Sequence, residues 1–325
     1  MTPDLVSRRA ALAALATLPA WARAQGSAWP AAPVRLIVPF TPGSGTDVVA
    51  RTLAEKLAPP LGQPVIVENR PGAGGTLGAG QVAKAPADGL TLLVHSSAHL
   101  VNPWIYPRLS YDTLKDFDGI TPLASLPNVL VVAPSKGFKD VADLIAKVRA
   151  RPEQFSYASA GNGSATHMNA EQFRVAAGLK ALHVPFRGTP EALTETIAGR
   201  TDWFFAPVVA ALPLIRDGRL QALAVGTAER SPALPGVPSM VEAGLKDASY
   251  NFWVGLFVAA RTPRPIVERL HGETVKALAL PDVKERLERL GAAPMAMAQP
   301  AFERFLDEQT AAAARLVKAA GLRAD

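Results

Sequence analysis

Two stretches of this chain repeat one another in kind. Each is an apolar, strand-length run, then a turn built from glycines and hydroxyl side chains, then a helix-forming segment. The first is Val34–Phe40 followed by Thr41-Pro42-Gly43-Ser44-Gly45-Thr46-Asp47. The second is Phe155–Ser159 followed by Ala160-Gly161-Asn162-Gly163-Ser164-Ala165-Thr166. Where a strand hands over to a helix in this way, the first backbone N–H groups of the helix have no intrahelical partner. The helix dipole adds partial positive charge at the same end, so the turn is suited to an anion such as a carboxylate. Two such turns facing one another would grip a small anionic or zwitterionic molecule. Ordinary tight strand–helix turns are the plainer reading of either turn taken alone.

The rest of the chain continues the alternation. Strands are expected at Val34–Val38, Gln63–Glu68 and Leu90–His95, with helices at Thr46–Leu61 and Thr76–Lys84. A second set has strands at Asn128–Ala133, Phe155–Ser159, Ala181–Pro185, Trp203–Ala206 and Leu220–Gly226. Its helices fall at Val141–Ala150, Thr166–Ala177 and Pro190–Ala198. Such alternation argues for α/β architecture with parallel strands and helices on both faces. After the strand at Trp253–Ala259 the chain reads as helical: Pro265–Leu278, Asp282–Leu290 and Ala301–Ala320. The strands at Asn128–Ala133 and Trp253–Ala259 bracket the second set and would serve as the two crossings of a hinge. The expected lobes are 30–126 and 127–255, with 256–325 returning to complete the first.

The N-terminus has the three-part layout of an export signal: Ser7-Arg8-Arg9, an apolar run from Ala10 to Ala22, and Ala22-Arg23-Ala24 before a cut that leaves Gln25 first. That run is shorter than the roughly 20 residues a bilayer span needs. The paired arginines fit the twin-arginine route, and an ordinary secretory signal fits as well. The remaining chain of about 300 residues suffices for one large or two medium domains. It has no cysteine, which excludes disulfides, thiol catalysis and cysteine zinc sites. The formal charge of +6 falls to about +4 once three leader arginines and one aspartate are set aside. The basic residues are interspersed with acidic ones, as in Lys284-Glu285-Arg286-Leu287-Glu288-Arg289, so nucleic-acid binding has no support.

Sharper chemistries fail residue by residue. No lysine follows either glycine-rich turn, as a P-loop requires, and Val48 and Thr166 stand where a dinucleotide fingerprint needs its third glycine. Gly-x-Ser-x-Gly is absent. His95 and His99 are four apart, but Ser96 replaces the glutamate of the metalloprotease pattern, and His95 ends a strand. No metal or cofactor is expected. His167 could line the cleft, whereas His183 and His271 read as structural. Asp47 and Asp202 could form a carboxylate pair, although Asp47 more naturally steadies the first turn and pairs with Arg51 one helical turn on. Arg187, in Val184-Pro185-Phe186-Arg187-Gly188, is either a ligand contact or a surface residue. Pro71-Gly72-Ala73-Gly74-Gly75-Thr76 is a third glycine-rich stretch, read equally as part of the cleft or as a turn of positive φ.

At these residues the chain resembles Bug-type proteins, the solute-binding components of tripartite tricarboxylate transporters. The resemblance runs almost end to end. It includes Val34–Phe40 with Pro42–Asp47, Val67–Gly75, Tyr157–Ser164 and His183–Gly188. It continues through Ala222–Val225, Arg230–Pro235 and Lys318–Gly321. It implies a bilobal periplasmic-binding-protein type II fold, two doubly wound lobes joined by a two-strand hinge, closing on a carboxylate ligand. Two departures stand out: Gly43-Ser44 where Gly-Gly is common, and the apolar Phe205-Ala206-Pro207 where a polar residue often follows the phenylalanine.

The residues expected at the ligand are Phe40, Thr41, Gly43, Ser44, Gly45, Thr46, Asp47 and Ser96 from the first lobe. From the second they are Ser159, Ala160, Gly161, Gly163, Ser164, Thr166, His167, Arg187 and Ala206. The expectation is a monomeric periplasmic receptor, not an enzyme, that delivers a small carboxylate-bearing solute to membrane transporter subunits or to a membrane sensor. The rival is an exported hydrolase on the same scaffold, using Asp47 or His167. N-terminal sequencing of the exported protein is expected to begin at Gln25, and recovery with residues 1–24 still attached would refute the leader.

Overall fold

The computed structural model describes residues 29–323, and the expected export signal lies outside them. The first lobe opens with β1 (Val34–Val38), α1 (Gly45–Leu61), β2 (Val65–Asn69), α2 (Thr76–Ala83), β3 (Thr91–Ser96), α3 (Ala98–Ile105) and β4 (Phe117–Ser125). The chain then crosses to a second lobe. There it lays down β5 (Asn128–Val132), α4 (Val141–Ala150), β6 (Ser156–Ser159), α5 (Ala165–Ala177) and β7 (Leu182–Pro185). It continues with α6 (Thr189–Ile197), β8 (Trp203–Pro207), α7 (Val208–Arg216) and β9 (Gln221–Val225). It returns as β10 (Trp253–Ala259), α8 (Arg264–Ala279), α9 (Pro281–Arg289), β11 (Ala293–Pro294) and α10 (Gln299–Ala320).

The strand orders are β11-β4-β10-β3-β1-β2 and β7-β6-β8-β5-β9. In each lobe the strand–turn–helix units run parallel: β1 beside β2 and β3, and β6 beside β7 and β8. The sheets are mixed rather than wholly parallel. β10 lies antiparallel between β3 and β4, and β5 lies antiparallel between β8 and β9. Val34, Leu36, Ile37 and Val38 are fully buried, because helices cover both faces of the sheet and both pleats face the interior.

The expected crossings need correction. β5 and β10 are not hinge strands but central strands of the second and first sheets. Trp253, Val254 and Gly255 already pair with β4 and β3, so the first lobe resumes at Trp253 rather than at 256. The chain crosses at 126–127, between β4 and β5, and again at the end of the longer 226–252 connection between β9 and β10. There Leu126 N–H donates to the Phe252 carbonyl and Tyr250 N–H to the Gly226 carbonyl. β4, α3 and α7 were not expected, and each contains a proline: Pro122, Pro103 and Pro213. In β4 the proline sits at a register irregularity opposite Gly255, where a missing N–H is tolerated.

Each lobe has apolar clusters on both faces of its sheet. α10 closes one face of the first lobe by placing Phe302, fully buried, against Trp253 and Phe257. The same helix reaches the second lobe. Ala313, Leu316 and Val317 pack in one cluster with Val101 and Ile105 of the first lobe and Met168 of the second. Arg174 donates to the Ala320 carbonyl at 3.1 Å. Phe302→Ala is expected to cost about 3–5 kcal/mol of stability in chemical denaturation; a loss below about 1 kcal/mol would mean that α10 is not part of the folded core.

Candidate functional site

The two glycine-rich turns meet between the lobes. Ser44 caps α1 and Ser164 caps α5, each with extended backbone and each accepting the N–H of the third helical residue: Asp47 at 3.3 Å and His167 at 3.2 Å. That use of the serines leaves the first two donors of each helix open. The N–H groups of Gly45, Thr46, Ala165 and Thr166 make no hydrogen bond among the described residues. They border a small interlobe space of about 20 Å³ whose walls include Ser44, Thr46, Ser96, Ser164, Thr166 and Thr189. Phe40, Ala160, Pro207 and Phe252 complete it, and no charged side chain lines it. Thr189 is the first residue of α6, so three helix N-termini converge on the space.

Each turn is braced from behind. In the first, the Asp47 carboxylate accepts from Gly43 N–H at 2.9 Å, Arg51 Nε at 3.0 Å and Asn69 Nδ2 at 2.8 Å. Burial alone would push the Asp47 carboxyl up, but these bonds outweigh it and hold it below the ordinary carboxylate range. Asp47 therefore steadies the turn, as the Arg51 spacing suggested. It forms no pair with Asp202, which lies in the second lobe bound to Lys136 and to Ser156 N–H.

In the second turn, Ala160 N–H donates to Thr166 Oγ1 at 2.9 Å and Gly161 N–H to Ser159 Oγ at 3.1 Å. Gly163 N–H donates to His167 Nδ1 at 3.1 Å. His167 is thus turned away from the cleft, contrary to expectation: it is buried and stacked on His183 with ring centroids 3.9 Å apart. His183 in turn bonds Ser159 Oγ at 2.6 Å. Beneath them Glu171, 1% exposed, takes a bidentate pair from Arg174 and a short hydrogen bond from Tyr157.

The neighbouring, larger space measures about 430 Å³ and shares Phe40 and Ala160 with the first. It holds Gly161 and Arg187 among the expected residues, and it adds Gly72–Gly75, Tyr106, Asn162, Phe186 and Glu191. The third glycine-rich stretch is therefore part of the cleft. Here the lobes touch: Tyr106 Oη donates to the Asn162 carbonyl at 3.0 Å, and Thr41 Oγ1 to Glu191 at 3.4 Å. A Cβ on Gly74 would overlap the Asn162 carbonyl oxygen, and one on Gly188 would overlap Thr41 Oγ1.

Of the other expected residues, Thr41, Gly43, Asp47, Ser159 and Gly163 shape the turns without facing either space. Ala206 is fully buried in β8, and the following Pro207 takes the wall position instead. Thr189, Pro207, Phe252 and Tyr106 were missed. Each comes from a segment whose approach to the cleft is a matter of tertiary packing, and only the helix-starting pattern Gly188-Thr189-Pro190 was a usable local sign. His95 and His99 do come together, with ring centroids 5.2 Å apart, but neither has a hydrogen-bond partner. Among the described residues no group of three or more His, Asp or Glu side chains could hold a metal ion.

With this geometry in view, the comparisons with known proteins are specific. The family model described as "Tripartite tricarboxylate transporter family receptor" matches residues 49–322. The chain belongs to that family. A Pseudomonas sp. (strain P51) protein encoded in the tcbD-tcbE intergenic region is 41% identical over 295 residues, which is 89% of this chain and 88% of that protein. Among solved structures, R. palustris Rpa4515 with adipate has a TM-score of 0.88 at 32% identity, covering 91% of the receptor and all of that chain. The periplasmic binding protein BugD has a TM-score of 0.87 at 31% identity, with coverage of 91% and 100%. The receptor therefore has the bilobal periplasmic-binding-protein fold that the resemblance implied.

Burial holds His99, His167 and His183 at about 3 and lowers His95 as well, all from an ordinary value of 6.5. Below pH 6.5 the unfolded chain gains protons that the folded one does not. Stability is accordingly full above pH 6.5 and falls as pH drops toward 3, by about 1.4 kcal/mol per pH unit for each such histidine. Urea denaturation between pH 7 and pH 4.5 is expected to show this slope, and His99→Leu is expected to reduce it by one proton; a flat profile would refute the neutral buried histidines.

Proposed function

We propose that the receptor closes on a small organic acid. One carboxylate sits in the inner space, between the N-termini of α1 and α5. The observation that supports this reading best is the pair of serine-capped helix starts with their first two N–H groups open, facing one another across a space without a charged side chain. Four backbone donors, the hydroxyls of Ser44, Thr46, Ser96, Ser164, Thr166 and Thr189, and the helix dipoles match a carboxylate without a buried counter-ion. A buried arginine would cost desolvation of its own, and helix ends avoid that cost. The adipate in the Rpa4515 structure agrees with this ligand class.

The receptor reading is preferred to the hydrolase reading. Ser159 and His183 are the nearest approach to a nucleophile and base, but Ser159 is fully buried and its Oγ also accepts Gly161 N–H. Asp47 and His167, the other candidates, are consumed in bracing the turns. We read the protein as a periplasmic monomer that presents its closed, ligand-bound lobes to membrane transporter subunits.

Closure can be ligand-driven because the acid touches both lobes only when they meet. Thermal-shift measurement against mono- and dicarboxylates, amino acids and aromatic acids is expected to show one acid class raising stability, by about 2.7 kcal/mol at a hundredfold excess over Kd. Absence of a shift for every acid, or turnover of the bound acid, would overturn the proposal.

A further inference from the structure

A second cavity, of about 510 Å³, lies within the first lobe and apart from the cleft. It is enclosed by α3, the start of β4, the first turns of α8 and the N-terminal half of α10, and all the residues that line it belong to the first lobe. Its size is that of a small-molecule pocket. The apolar part of its wall is Leu100, Phe117, Phe257, Val267 and Leu306.

His99 stands in the same wall. It is 1% exposed, and both of its ring nitrogens lack a hydrogen-bond partner. Burial keeps the ring neutral at ordinary pH, so it carries one donor and one acceptor, and leaving both unpaired is costly. The rings packed around it, His95, Tyr111, Phe117 and Phe257, supply no partner. The cavity is the side from which one can come.

The polar part of the wall is acidic. Asp118, Glu303 and Asp307 line it, and none of the three is held in an ion pair among the described residues. Glu303 and Asp307 are four apart on α10, a placing of like charges that weakens a helix. Both lie beyond the first turn, where the helix dipole would have favoured them. Loss of water, and then the charge of Glu303, raise the Asp118 carboxyl above its ordinary value, so the two carboxylates oppose one another. Arg264, the cation in this wall, gives its Nε to Glu268 at 2.9 Å. The rest of the chain is basic, which makes the acidity local to the cavity.

We infer that this cavity is a second ligand site, which takes an organic ammonium ion with an apolar body. An ammonium group has three donors, enough for the neutral His99 ring and two carboxylates. The body lies against Phe117, Phe257 and Leu306, and the aromatic faces attract the cation as well. A metal ion fits less well, because no group of three or more His, Asp or Glu side chains among the described residues could hold one. The site needs no residue of the second lobe, so it fills without closure of the cleft.

Calorimetric titration of the exported protein tests this with phenethylamine and hexylamine, against phenethyl alcohol and hexanol as their neutral counterparts. Each amine is expected to bind about tenfold or more tightly than its alcohol, the advantage of charge-assisted hydrogen bonds, and to weaken as salt is raised. Asp118→Asn combined with Glu303→Gln should bring the ratio close to one, whereas Glu191→Gln, at the mouth of the cleft, should leave it unchanged. In nitrogen–proton correlation spectra of the wild type, the His99 ring signals, recognised by their Overhauser contacts to Phe117 and Phe257, should move when amine is added. Amines that bind no better than the alcohols would overturn the inference. So would a preference that survives the double variant, or one that vanishes in Glu191→Gln, which would place the amine in the cleft. Unmoved His99 signals would overturn it too, and that readout and the salt dependence stand even if the double variant does not fold.

Discussion

The seryl caps at the starts of α1 and α5 set the terms for the rest of the structure. A helix start leaves donors without partners, and a buried donor without a partner is costly. Ser44 and Ser164 satisfy the third donor and leave the first two facing the opposite lobe. The open donors are tolerable because they border the interlobe space, where a ligand or water can reach them. The same arrangement explains why the inner space needs no lysine or arginine: three helix ends already make it electropositive.

The turns must be rigid if their donors are to point across the cleft, and the two lobes achieve this differently. In the first lobe a buried carboxylate, Asp47, gathers Gly43, Arg51 and Asn69 and ties the turn to β2. In the second, neutral imidazoles do the work: His167 holds Gly163 and His183 holds Ser159, with the Glu171–Arg174 pair beneath. That pair continues to α10, since Arg174 also bonds the Ala320 carbonyl. The second turn is thereby linked through one helix of its own lobe to the C-terminal helix of the other.

Closeness of the lobes depends on small residues at their rim. Gly74 comes against the Asn162 backbone carbonyl, where any side chain would hold the lobes apart, and Gly188 comes against the Thr41 side chain. Behind the cleft, Val101, Ile105, Met168 and the end of α10 form an apolar contact shared by both lobes. Polar contacts at the mouth and apolar contacts at the back let the cleft open without exposing the main cores, which lie on either side of each sheet.

Local chemistry was sufficient to read the strand–turn–helix units, the two turns and the α/β class directly from the chain. Strand runs such as Leu36–Val38 and Trp253–Ala259 carry no polar side chain. Capping serines and positive-φ glycines such as Gly43 and Gly163 signal themselves over a few residues. Proline hid β4, α3 and α7, because Pro122, Pro103 and Pro213 break the local pattern while neighbouring chain supports the element. Only the tertiary structure decided that β10 is an antiparallel central strand and not a hinge. It also decided that His167 braces a turn from behind, that Pro207 rather than Ala206 faces the cleft, and that Gly74 and Tyr106 belong to its mouth. The division has a physical reason: turn geometry is set by near neighbours in sequence, whereas which face of an element meets the cleft depends on segments distant in the chain, as Asn162 is from Gly74 and Tyr106.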